Sequence, residues 1–130
     1  MASKINVRQL VFLIVLVSAY FGKIYLDKQG YAQSENIQVR LASKPLSITK
    51  HGRCRMECRE IDISEITAIL KSGKVNPTKS EPNDSPCPSW AIEGITADGQ
   101  SVRIVFAECD TETRVITAID LENTYDCYCP

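Results

Sequence analysis

Residues 51–61 read His-Gly-Arg-Cys-Arg-Met-Glu-Cys-Arg-Glu-Ile. At helical spacing His51, Arg55 and Arg59 fall on one row, and Cys54 and Cys58 fall on a second row beside it. The first row offers one imidazole and two guanidinium forks, a set able to grip a carboxylate or phosphate bidentately. His51, Arg55 and Arg59 are therefore the candidate ligand-binding residues. His51 is the only histidine, and a general base or metal ligand is the sharp reading of it. The plain reading is a surface or hydrogen-bonding residue at a helix start. For the arginines, the plain reading is pairing with Glu57, Glu60 or the acidic C-terminal tail. No catalytic residue is assigned.

The second row offers thiols. Cys54, Cys58, Cys87, Cys109, Cys127 and Cys129 are six, an even number, and six cysteines allow 15 pairings. Cys54 and Cys58 on a helix would lie about 6 Å apart on one face. Cys127 and Cys129 on an extended chain would share a face about 6–7 Å apart. The matched spacings make two parallel bridges between the pairs geometrically plausible, which leaves Cys87 with Cys109. The same four sulfurs would otherwise form a tetrahedral zinc or iron site, with His51 as a substitute ligand. The spacing is not that of a CxxC knuckle, and the thioredoxin-like order of strand, helix and strand is absent. No metal or cofactor is expected in the leading reading.

The elements that must position these rows begin with an apolar run. Leu10 to Leu26 is interrupted only by Ser18, Gly22 and Lys23. As a helix it spans roughly 25 Å, close to the hydrocarbon thickness of a bilayer, with Lys23 free to snorkel. Residues 1–28 are read as a signal anchor contacting the membrane through residues 10–26, and residues 29–45 as a polar linker. The competing readings are a cleaved signal peptide with an apolar region from Leu10 to Phe21, and a buried core helix. Lys4, Arg8 and the amino terminus outweigh Lys23 and Lys28 offset by Asp27. The N-terminus is thereby placed inside and the remainder outside the cytoplasmic membrane, in the periplasm. All six cysteines follow this segment, as suits an oxidising compartment and a small domain in need of staples. Residues 33–130 carry 11 Lys and Arg against 15 Asp and Glu, a net charge of −4. No nucleic-acid partner is expected of so acidic a domain.

Residues 46–130 form the cysteine-rich domain. Leu46-Ser47-Ile48 suggests a short extended lead-in, and residues 51–61 a helix with Cys54, Cys58 and Ile61 inward. A second helix has Ser64 as its N-cap, Ile66, Ile69 and Leu70 as its apolar stripe, and Gly73 at its end. Lys74 to Lys79 reads as an edge strand confined there by Pro77. Trp90 to Thr96 and Ser101 to Ala107 flank a turn whose Asp98-Gly99 suits type I′. Arg114 to Leu121 is the last long strand. The expected fold class is α+β, with two helices packed on a three- to four-stranded antiparallel meander.

In this order of elements, His51 to Gly73 resembles the opening of the domain-of-unknown-function 4258 family. His51, Arg55, Met56, Arg59, Ile61, Ser64 and Gly73 match its pattern, while Gly52 stands where alanine is usual and Glu60 where glycine is usual. The resemblance covers about residues 46–121. It implies a distant similarity to RelE/ParE-type toxins, some of which are ribonucleases using basic residues on the sheet. Only Arg103 and Arg114 are basic among the sheet positions here, and neither His nor Lys follows Lys79. The anchor and the cysteines are additions to the family pattern and suggest a bacterial extracytoplasmic branch. The leading function is a membrane-anchored interaction or accessory-subunit module stapled by disulfides. Its partner would be another membrane or extracytoplasmic protein. The alternatives are a four-cysteine metal domain and a degenerate RelE-like ribonuclease.

Overall fold

The computed structural model of the protein describes residues 6–130. The chain divides into two units between Glu35 and Asn36. Helix α1 (Val7–Ala42) runs through the first unit. Its apolar stretch has a mean hydropathy of 1.8 and no buried residue, and Val11, Phe12, Ile14 and Phe21 stand exposed. Among the described residues it is the one helix long and apolar enough to cross a membrane, judged by length and composition.

The second unit starts with the last turns of α1. Ile37 and Leu41, one turn apart, are buried in the core. Gln38 Nε2 donates to the carbonyls of Leu70 and Gly73 at 3.0 and 2.8 Å. The segment read as a polar tether is thus helical as far as Ala42. Ile37, Val39 and Leu41 alternate with Gln38 and Arg40 and so raise no helical period, and burial of Ile37 and Leu41 in the core supplies what propensity does not.

Then follow β1 (Leu46–Ile48), α2 (Lys50–Cys58), α3 (Ile63–Ser72), β2 (Lys74–Glu81), β3 (Ser89–Ile95), β4 (Ser101–Glu108) and β5 (Thr113–Asp120). The class is α+β, but the sheet differs from the expected meander. It has five strands in the order β1-β5-β4-β3-β2, and β1 runs parallel to β5. The lead-in at Leu46 to Ile48 is therefore an edge strand of a mixed sheet. Thr113 N–H donates to the Pro45 carbonyl and Thr49 N–H to the Val115 carbonyl, which closes both ends of the pairing. A parallel pair needs no tight turn, so nothing local in the sequence announces it. Pro77 lies where the β2–β3 register shifts between Asn76 and Glu81, on the other edge.

Alternation sorts the strands. Val102, Ile104 and Phe106 of β4, with Ile92 and Val115 beside them, are fully buried together with Ile66 of α3 and Leu41 of α1. Helix α3 starts two residues earlier than Ser64 implies. Asp62 is its N-cap, accepting from Glu65 N–H at 3.0 Å while Glu65 Oε2 accepts from Asp62 N–H at 3.0 Å. This reciprocal capping box leaves Ser64 inside the first turn, its hydroxyl donating to Asp62. The β3–β4 connection is not type I′. Gly99 alone has positive φ, at 95°, and Thr96 accepts from Gly99 N–H, the arrangement of a type I turn closed by a left-handed glycine. Asp98 accepts the Thr96 hydroxyl proton instead of adopting positive φ itself.

Candidate functional site

Helix α2 is short, so its seating is set by its ends and one contact face. Thr49 caps it. The Thr49 hydroxyl accepts from Gly52 N–H at 2.9 Å and donates to the Val115 carbonyl at 3.0 Å, fixing the helix start to β5. Gly52 is buried at the closest approach. A Cβ there would stand 2.5 Å from the Val115 carbonyl oxygen, so alanine at this position would force α2 off the strand. Met56, one turn on, enters the core, and Ile61 follows it after the helix has ended. The inward face is therefore Gly52 and Met56, not the cysteine row. Glu60 terminates the helix with φ of 57°, a left-handed conformation that glycine adopts without strain and glutamate does not.

The cysteine row faces the C-terminal tail. Cys54 is bonded to Cys129 and Cys58 to Cys127, each pair with Cα atoms 5.8 Å apart. Cys87 is bonded to Cys109, with Cα atoms 5.0 Å apart, and no cysteine is free. A disulfide sulfur is not a thiolate ligand, so the four-cysteine zinc or iron site does not form in this state. Among the described residues no group of three or more His, Cys, Asp or Glu side chains is placed to hold a metal ion.

The tail from Leu121 onward has no helix or strand and no buried residue. Asp120 turns the chain into it. Its Oδ1 accepts from the N–H groups of Glu122 and Asn123 at 2.8 and 2.7 Å. Those two donors, Asn123 first, hold the Asp120 carboxyl below its ordinary range. Gln100 Nε2 bridges the Arg59 carbonyl, at 3.1 Å, and the Tyr125 hydroxyl, at 3.3 Å. These side-chain ties and the two disulfides hold the tail beside α2.

The basic row is oriented but forms no ion pair among the described residues. Arg55 Nε donates to His51 Nε2 at 3.3 Å, which makes that ring nitrogen the acceptor. Arg59 Nη1 donates to the Ala118 carbonyl of β5. Partial burial, with the Arg55 charge one turn away, lowers the proton affinity of the Arg59 guanidinium. His51 is exposed, and Arg55 and Arg59 are half-buried. The expected ion pairs of Arg55 and Arg59 with Glu57, Glu60 or the tail do not form among the described residues. Asp120 is the acid whose charge acts on Arg59, but its oxygens are already engaged by the turn. Lys50 and Arg53 add further positive charge in the first turn of α2, where the helix dipole is itself positive and no acid is present.

A second cluster escaped the sequence reading. Glu108 receives Arg40 Nε at 2.8 Å and Nη2 at 3.0 Å, with Trp90 Nε1 at 2.8 Å. Lys44 Nζ lies 3.9 Å from the same carboxylate. Arg40, ahead of Trp90, holds the Glu108 carboxyl below its ordinary range. This cluster fastens the end of α1 to β4, and a separation of 68 residues left no spacing pattern to find it by.

The model of a family described as Domain of unknown function (DUF4258) matches residues 48–120, more than half of the 130-residue chain. No curated protein and no solved structure matches it. The matched stretch runs from Ile48 to Asp120 and stops before both tail cysteines.

Proposed function

The chain belongs to the DUF4258 family, and we propose that this member is a membrane-anchored interaction or accessory-subunit module working outside the cytoplasmic membrane. Residues 10–26 anchor it with the N-terminus inside. The α+β domain then presents its surface to another membrane or extracytoplasmic protein. The observation that carries the reading is the state of the cysteines. All six follow the apolar segment and all six are paired. Such bridges persist in oxidising compartments and are reduced in the cytosol.

The alternatives gain less support. A RelE-like ribonuclease would need free basic groups on the sheet. Two of the four basic residues on the sheet are instead paired, Arg103 with Glu93 at 2.7 Å and Arg114 with Glu112 at 2.5 Å. A metal domain would need the four sulfurs of α2 and the tail as thiolates.

Thiol alkylation in freshly isolated membranes, without reductant, tests the proposal. The expected result is no labelled cysteine, with the chain retained in the membrane after an alkaline wash. Full labelling would place the domain in a reducing compartment and end this reading.

A further inference from the structure

We propose that the basic row of α2 is a carboxylate-binding surface that takes an acidic segment of a partner protein, with Arg55 and Arg59 as its anchors. The proposal rests on the interaction-module reading and names the chemistry of the partner. Two guanidinium groups one turn apart on a helix repel each other. Here both are held in place, Arg55 by His51 and Arg59 by the Ala118 carbonyl, and both keep N–H groups for an acceptor. Lys50 and Arg53 add to the charge at the positive end of the helix dipole. None of the four forms an ion pair among the described residues. Elsewhere the chain does pair its arginines, at Arg40, Arg103 and Arg114. Apart from the pull of Asp120 on Arg59, the clustered positive charge of α2 is left to an anion from outside.

Spacing identifies the anion. His51, Arg55 and Arg59 recur about every 6 Å along the helix, and alternate residues of an extended chain recur every 6–7 Å on one side. Carboxylates at alternate positions of an extended acidic segment therefore meet the row in register. A long polyanion is disfavoured, because residues 33–130 carry a net charge of −4.

The test uses the full, oxidised chain in detergent micelles and a fluorescent peptide alternating glutamate with serine, read by anisotropy. Binding is expected, weakening steeply as salt rises. Arg55→Gln is expected to weaken it about tenfold and Arg55→Lys by less, since lysine keeps the charge but not the fork. Arg114→Gln, which removes an arginine already paired with Glu112, is expected to leave binding unchanged. Equal binding of a peptide with lysine in place of glutamate, or no effect of Arg55→Gln, would overturn the proposal. So would complete displacement by an equal concentration of inorganic phosphate, which would assign the site to a phosphate group. Binding that tightens tenfold in the double variant Glu122→Gln, Asp126→Asn would also overturn it, by making the tail the native occupant. Peptide binding is measured on the oxidised chain, so its failure is distinct from failure of the alkylation test.

Discussion

Phe106, Ile92, Ile104 and Val115 are inaccessible to solvent, whereas Tyr128 in the tail is 91% exposed. The two regions touch along α2, yet different physics holds them. In the core, sheet register, alternation and burial all favour the same arrangement, and apolar burial supplies the dominant stabilising term. In the tail, the side chains of Gln100 and Asp120 make a few hydrogen bonds and two covalent bonds do the rest. The family match has the same boundary, ending at residue 120. A self-standing core thus carries an added strap, tied at Cys54 and Cys58 to the helix that bears the unpaired cations.

The strongest way to break this comparison is to cut the bridges separately. The Cys87–Cys109 bridge spans 22 residues, and chain entropy assigns such a loop about 3.4 kcal/mol. Its ends are held independently of the bond. Cys109 is buried and its N–H donates to the Glu112 carbonyl, while Glu108 N–H donates to the Pro88 carbonyl. The variant Cys87→Ser, Cys109→Ser is therefore expected to lose close to that full amount, about 3 kcal/mol in urea unfolding. The tail bridges span 75 and 69 residues. The same relation gives about 4.5 kcal/mol for closing the first loop, and roughly 2.4 for the second, which then closes only a few residues. Those figures hold only where the native ends stay docked without the bond, and the tail has little to dock it. Removing both tail bridges is expected to cost the core only about 1–2 kcal/mol. A larger loss than that of the Cys87–Cys109 variant would break the comparison.

The Glu108 cluster sharpens it from the core side. Glu108→Gln leaves Arg40 without its bidentate partner and is expected to cost about 2 kcal/mol near neutral pH. The carboxyl lies below its ordinary value of 4.5 in the folded protein. Its contribution is therefore fully present above that value and is lost as pH falls through the folded pKa. Unfolding free energy measured against pH should drop less below about pH 4.5 in the variant than in the parent chain. The smallest effect is at Glu60, where the helix that carries the strap ends in a left-handed residue. Glu60→Gly is expected to raise stability by about 0.5–1 kcal/mol, seen as a higher urea midpoint. A fall would mean that the carboxylate contributes more there than the backbone strain costs.

Much of the core is legible in the sequence because its signals are local. The alternation of Val102, Ile104 and Phe106 marks β4, and the spacing of Ile66, Ile69 and Leu70 marks α3. What escaped depends on distant partners. The parallel pairing of β1 with β5 joins residues such as Leu46 and Thr113 across most of the domain. Ile37 and Leu41 gain their helical fit from the core they enter. At the site, the rows of α2 follow from helical spacing, and the structure joins Cys54 and Cys58 to the tail. The inward face differs because Gly52, which has no side chain to register on an apolar stripe, is what lets α2 approach β5. The expected pairing of Arg55 and Arg59 with nearby acids fails for a geometric reason. Asp120 is engaged by its own turn, and Glu57 and Glu60 stand exposed without an ion pair.

The most direct test is backbone dynamics by NMR on the parent chain and on the variant Cys54→Ser, Cys58→Ser, Cys127→Ser, Cys129→Ser. With the strap cut, order parameters for residues 122–130 should fall below about 0.6, while β3, β4 and β5 stay near 0.85. Loss of order in those strands together with the tail would contradict a self-standing core. A tail that stays ordered without its bridges would contradict a strap held by covalent bonds.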